Sequence, residues 1–441
     1  MKFEIDHQTI KDLQLFGDDR SAPSIFKFYN KTKTTGGSDR LREIMSSPTN
    51  DLSELDHRIS TLTILLKTNK HLNLNNRQFD FIEHYLKLNL NPLKQGWINS
   101  KIDAISERLK PTGTLYTIQS GIENLRTLFQ DLVVFMDAVR SEKKSLQFQK
   151  QTEFISSFLS NPIIGSIHKE RLSDNLNSID NIFRLQFKSE IRTVIDFVYE
   201  IDALQSAALT AGENNLAFPE YLKSDNPKLS VEALYHPLIK NAVTNDIEVD
   251  ESHNMIFLTG ANMAGKSTLL KSLGLSIYLA HIGFPVPAQK FQTTLYNGII
   301  TTINLPDNIN KGYSHFYHEV IRVKETALKI KESKHIFVIF DELFRGTNVK
   351  DAYDASLLII SAFAKIRTST FLISTHITEI AEDLKSNATV QFNYLESKLI
   401  DTIPTHTYKL AKGVSDERVG LLIVKNEGII EILDSIQPDK K

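Results

Sequence analysis

Cysteine is absent from all 441 residues. That excludes a disulfide framework, a thiolate metal site and a cysteine nucleophile, and it fits a reducing cytoplasm, the expected location. No run of about 18 apolar residues occurs, the length a helix needs to cross a bilayer, so no membrane association is expected. The stretch Met1 to Asp19 mixes charged with apolar residues and has no uncharged core of the kind a secretory signal needs. A charge excess is missing too: 51 basic residues against 53 acidic ones leave a formal net charge of −2. Dedicated nucleic-acid binders often carry a basic surplus. Any DNA contact must therefore come from a local patch or from a ring closed by two subunits. Low-complexity segments and short-period repeats are also absent.

The 41% hydrophobic and 24% charged composition is that of a globular chain with room for two domains, each able to bury a core without covalent help. Residues 1–230 read as helical. From Ile118 to Val139 the apolar positions Ile118, Ile122, Leu125, Phe129, Leu132, Met136 and Val139 recur in steps of four and three. Such a rhythm puts one narrow apolar stripe on a long helix. A second stripe, Phe187, Ile191, Val194, Val198 and Ile201, is expected to pack antiparallel on the first. Between them Ser141 to Gln151, rich in Lys and Gln and without apolar period, suits an exposed helix end or tip. These helices fit a structural bundle; a mechanical lever is the alternative.

Asn226-Pro227 and His236-Pro237 mark a loop-rich boundary. In residues 231–441 short apolar runs alternate with helical stretches: Asn254 to Thr259, Ile299 to Ile303, Ile336 to Phe340 and Phe371 to Ser374. Strands of this kind belong to a mostly parallel sheet covered on both faces. The expected fold class is a helical domain followed by an α/β domain.

Directly after the first strand run comes Gly260-Ala261-Asn262-Met263-Ala264-Gly265-Lys266-Ser267-Thr268, with helical periodicity following through Leu269, Leu270 and Leu273. This is the phosphate-binding loop pattern. Its glycines let successive backbone N–H groups converge on phosphate oxygens, and the helix N-terminus adds its positive dipole end. Lys266 is expected to bridge the β- and γ-phosphates, and Ser267 to ligate Mg²⁺. The run His335 to Phe340 is a buried strand ending in Asp341 and Glu342. Asp341 would hold Mg²⁺ through water, and Glu342 would polarise an attacking water, which marks a hydrolase. A helix N-cap followed by a first-turn acid is the other reading of that pair. His376, at the end of Phe371 to Thr375, lies on the edge where open α/β sheets bind ligands. It could hydrogen-bond the γ-phosphate or the lytic water. No guanine-specifying Asn-Lys-x-Asp box occurs, since Asn30-Lys31-Thr32-Lys33 lacks the acid, so ATP is expected over GTP.

Five ordered motifs resemble those of the MutS mismatch-repair ATPases: Thr259 to Thr268, Ala280 to Ala288, Ser314 to Glu319, Asp341 to Thr347, and Ser374-Thr375-His376. Upstream, His236 to Ile239, Thr35 to Leu41, and Glu200 to Ala207 are also similar to family segments. The resemblance implies an ABC/MutS-type P-loop domain and a homodimer in which Ser314 contacts the γ-phosphate held by the partner. It also implies that Tyr408 stacks on adenine. Departures from the family pattern are Phe344 in place of a glycine, a two-residue insertion between Asn348 and Asp354, and no aromatic near Ala242-Val243. The chain is expected to lack the mismatch-reading and connector domains, and its helical region to have a reduced clamp or none. The implied function is ATP-dependent DNA binding in mismatch repair or a related repair or recombination process. The alternative is an ATPase acting on a ribosome or other protein assembly without DNA.

Overall fold

The computed structural model describes residues 3–17, 22–68, 71–89, 113–167, 172–250, 252–303, 315–344, 347–400, 403–415 and 428–436. The chain divides into two compact units, one of Met1–Phe28, Pro48–Leu52 and Asn214–Lys441, the other of Tyr29–Ser47 and Ser53–Glu213. The expected boundary at 230/231 thus falls inside the first unit, which also takes in the amino-terminal arm. Among the described residues no helix is long and apolar enough to cross a membrane.

The strands of the first unit are β1 (Glu4–Ile5), β2 (Glu220–Tyr221), β3 (Leu229–Leu234), β4 (Asn245–Val249), β5 (Met255–Gly260), β6 (Lys290–Thr293), β7 (Gly298–Thr302), β8 (Ile336–Asp341), β9 (Thr370–Ser374), β10 (Val390–Ile400) and β11 (Ile403–Lys412). Seven form a sheet in the order β1-β7-β8-β9-β5-β10-β11, and four form a second sheet in the order β2-β6-β3-β4. In the seven-stranded sheet every pair is parallel except β10 with β11. The four apolar runs of the sequence correspond to β5, β7, β8 and β9. Their residues are almost continuously buried because both sheet faces are covered.

On one face lies the helix Lys266–Ala280, seated so closely that a Cβ on Gly274 would come within 2.8 Å of Ile339 Cδ1. On the other, Phe363 of the helix Val349–Ala364 stacks on Phe340 and Phe371, with ring centroids 5.9 and 4.9 Å away. The order of the middle strands matters most for function. In register, Asp341 pairs with Ser374 and Ser374 with Leu258, so β8, β9 and β5 end together at one edge. A two-residue strand, β1, extends the opposite side of the sheet. Behind it, Asp12 accepts hydrogen bonds from Thr301 Oγ1 at 2.8 Å and the Ile303 N–H at 2.9 Å.

In the helical unit all seven stripe residues of the helix Gly113–Val139 are buried. Its close neighbour is the helix Asn76–Leu86, and a Cβ on Gly121 would lie 2.3 Å from Tyr85 Cβ. The second stripe is buried on Lys188–Asn214, whose Tyr199, beside the stripe, meets Phe79 of Asn76–Leu86 at 5.4 Å. Periodicity sets which face is buried, not against which helix. Ser141–Gln151 is also not all tip. Ser145 caps the helix Leu146–Leu159 by accepting from the Phe148 N–H at 3.2 Å, and Phe148 is buried against Phe197. One phenylalanine among lysines and glutamines gives no period to detect.

His281 is enclosed at the foot of the helix Lys266–Ala280. Its Nδ1–H donates to Ile277 O at 2.8 Å, and Nε2 accepts from the Tyr296 N–H at 2.8 Å. With both ring nitrogens engaged by the neutral form, burial depresses its pKa to about 4. The unfolded chain, with an ordinary histidine, takes up this proton at higher pH. The neutral ring's contribution is therefore complete above about pH 6.5 and is lost as pH falls through about 4, at most about 3 kcal/mol. Urea unfolding from pH 7.5 to 4 is expected to show this loss, and His281→Gln to remove that part of the slope.

Candidate functional site

The site forms where the ends of β5, β8 and β9 meet. After β5 the backbone turns through Gly260 at φ +142° and Gly265 at φ +99°, both in the region that strains any side-chain-bearing residue. The helix Lys266–Ala280 starts at once. Lys266 is only 5% exposed, and its Nζ donates to Gly260 O at 2.8 Å and Ala261 O at 3.1 Å. The same Nζ lies 3.5 Å from His376 Nδ1. An ammonium held by carbonyls inside a glycine-bounded loop is a cation already withdrawn from water.

Asp341 ends β8 and is 6% exposed. One carboxylate oxygen accepts from Ser267 Oγ and the other from Ser374 Oγ. These bonds join β8 to the first turn of the helix on one side and to β9 on the other. Glu342 stands just beyond, with its backbone at φ +59° and its N–H donating to Ser374 O at 3.0 Å. Its carboxylate pairs with His376 Nε2. His376 thus spans the site, with Nε2 on Glu342 and Nδ1 facing Lys266.

The loop residues Asn262 and Met263 are exposed, and Met263 takes a positive φ of +64°. Ala264 is buried beneath them, and Thr268 lies in the helix's first turn, where its carbonyl accepts from Ser272 Oγ. Tyr408 is not a regular strand residue. The β10–β11 register shifts between Leu395, which faces Leu410, and Ser397, which faces His406. Tyr408 sits in the resulting bulge at φ +59°, and a Cβ on Gly265 would lie 3.2 Å from its Cδ1. Ser314 lies outside the described residues.

Lys266, Ser267, Asp341, Glu342 and His376 therefore meet at one edge of the sheet, with Tyr408 beside the loop. Ser374 is the partner that sequence reasoning missed. It was visible only as one letter of Ser-Thr-His, and its bond to Asp341 follows from strand order. Among the described residues there is no group of three or more His, Cys, Asp and Glu able to hold a metal. The oxygens of Ser267 and Asp341 suit a hard cation such as Mg²⁺, which takes one or two protein ligands and fills its octahedron from phosphate and water.

Residues 256–437 match the family model described as MutS domain V. The chain is similar to the DNA mismatch repair protein MutS of Bacteroides thetaiotaomicron, 29% identical over 371 residues, covering 76% of this chain and 42% of the relative. It is also similar to the proteins of that name from Thermotoga maritima, 30% identical over 247 residues (55% and 30%), and Geobacillus sp., 25% identical over 246 residues (54% and 28%). The matched regions span less than half of each relative.

Phe344, where the family pattern has glycine, is 2% exposed at φ +64° and packs 5.4 Å from Phe316. Phe344→Gly would relieve about 1 kcal/mol of left-handed strain. It would also remove a buried ring worth about 3–5 kcal/mol. A net destabilisation of about 2–4 kcal/mol is expected in denaturant titration.

Proposed function

The chain belongs to the MutS family, and from that premise we propose that it is a Mg²⁺-dependent ATP hydrolase with a P-loop site of the ABC/MutS type. The observation that carries this is the bonding of Ser267 to Asp341 beside a buried Lys266. A hydroxyl and a carboxylate touch at the point where a magnesium-bound triphosphate would rest, and an ammonium lies under the loop that would wrap it. On binding, Lys266 would exchange the carbonyls of Gly260 and Ala261 for phosphate oxygens. Backbone N–H groups from Gly260 to Thr268, through Ala261, Asn262, Met263, Ala264 and Gly265, would complete the cradle. Mg²⁺ held by Ser267 and Asp341 would neutralise charge building on the transferring phosphoryl group. Glu342 would then orient the attacking water and accept its proton. His376, which spans Glu342 and Lys266, is placed to exchange Glu342 for the γ-phosphate. Ser374 keeps the Asp341 carboxylate aimed at Ser267.

The reading extends to a homodimer formed through the ATPase domains, with Ser314 acting at the partner's nucleotide and Tyr408 stacking on adenine. It extends also to ATP-dependent DNA binding in mismatch repair or a related DNA transaction in the cytoplasm. The relatives named for mismatch repair support this. The balanced charge of −2 favours the second reading, an ATPase working on a protein assembly without DNA. Phosphate contacts make affinity fall log-linearly with salt, so a salt titration separates the two. Duplex and branched DNA that both fail to bind at low salt, with and without ATP, would decide for the protein assembly.

Lys266→Ala is expected to abolish retention of labelled ATP. Glu342→Gln is expected to retain ATP and slow steady-state phosphate release by about 10²-fold or more, the usual size of a lost general base. Unchanged turnover in the Gln variant would remove Glu342 from its role.

A further inference from the structure

We propose that Asn245 is a positioning residue that sets base recognition at the nucleotide site, by clamping the bulge that carries Tyr408. The inference rests on the ATP-hydrolase reading and adds a residue that neither motif nor family resemblance picked out. Tyr408 is a large side chain in a left-handed backbone conformation, an arrangement that persists only where its surroundings enforce it. What enforces it is visible on both sides of the bulge. On the β10 side, Thr407 Oγ1 donates to Glu396 O at 2.9 Å. On the other side β4 approaches, and the buried side chain of Asn245 makes both bonds that an amide can offer in one direction. Its Nδ2 donates to Tyr408 O at 3.0 Å, and its Oδ1 accepts from the Leu410 N–H at 2.7 Å. One side chain thus engages a backbone carbonyl inside the bulge and the N–H at its edge. Lys409 adds a bond from Nζ to Thr244 O at 2.7 Å, one residue before Asn245.

The consequence appears in the ring. Tyr408 is 47% exposed, with one edge lying over Gly265, so close that any Cβ there would touch it. Beside a phosphate-holding loop, a half-exposed aromatic face takes a flat aromatic group joined to the phosphates, which is a nucleobase. A ring held this way reads the base and leaves the phosphates to the loop. Two of the three atoms nearest a Cβ on Gly265 belong to this ring, at 3.2 and 3.9 Å. Removing Asn245 leaves the Tyr408 carbonyl and the Leu410 N–H without a side-chain partner and loosens the bulge. Three residues of β11 there stand opposite one of β10, and without the clamp the backbone at Tyr408 is free to leave its φ of +59° and carry the ring off Gly265.

The test compares two probes with the full chain in Mg²⁺: labelled ATP, and inorganic tripolyphosphate, which has the phosphates and no base. Asn245→Ala and Tyr408→Ala are each expected to weaken ATP about tenfold, the size of one lost base–aromatic stack. Both should leave tripolyphosphate affinity unchanged, and Tyr408→Phe should bind ATP as the wild type does. The double variant should be no weaker than Tyr408→Ala alone, since Asn245 acts only through the ring. Asn245→Asp, which keeps the acceptor for Leu410 and loses the donor to Tyr408, should fall between wild type and Asn245→Ala. A loss of tripolyphosphate equal to the loss of ATP in Asn245→Ala would reduce the residue to a structural strut and overturn the proposal. Unchanged ATP affinity in that variant would overturn it as well, with the hydrolase reading intact. A wild type that retains neither probe would sink both.

Discussion

A single carboxylate, that of Asp341, ties the α/β unit's architecture to its chemistry. It is nearly out of water, and such a charge is tolerable only if its lone pairs are engaged. Ser267 and Ser374 engage them, each from a different element. This arrangement requires β8 and β9 to be neighbours in register, β9 to lie beside β5, and the helix after β5 to start within reach of β8. All three follow from the parallel order β8-β9-β5. In an open α/β sheet the carboxyl ends of the strands form the crevice in which ligands bind, and here that crevice holds the acid and both hydroxyls.

The groups around this carboxylate are mutually satisfied. Lys266 rests on two loop carbonyls, and His376 links it to Glu342. The proposed reaction is therefore a sequence of exchanges in which each internal partner yields to a phosphate oxygen or a water. Such exchange keeps buried charges paired throughout, and that is what lets an ammonium and two carboxylates share a small volume. In that proposed reaction the loop and helix would supply phosphate contacts, the strand ends the acids, and the β10–β11 hairpin an aromatic ring from the side.

Much of this was legible in the sequence because the central strands are buried on both faces and read as unbroken apolar runs. Asp341 and Glu342 directly follow one such run, and Gly260 to Thr268 another. What was not legible depends on long-range placement. The two residues of β1 are too few to carry a period. The bulge at Tyr408 arises from a register shift between β10 and β11, and no single residue announces it. Ser374 and Asp341 are 33 residues apart and meet only because β9 lies beside β8. In the helical unit the stripe on Gly113–Val139 was read from its spacing. Its seat on Tyr85 depends instead on Gly121, whose missing side chain lets the two helices close. That Tyr85 donates to Asp180 at 2.9 Å is likewise a contact between segments that periodicity cannot join.

The most direct measurement is equilibrium retention of labelled ATP by the wild-type protein with and without Mg²⁺, followed by identification of the bound product. One nucleotide per chain, held more tightly with Mg²⁺ and recovered as ADP with released phosphate, is the predicted result. A folded protein that holds no ATP at any Mg²⁺ concentration would contradict the assignment of Ser267, Asp341 and Lys266 to a triphosphate.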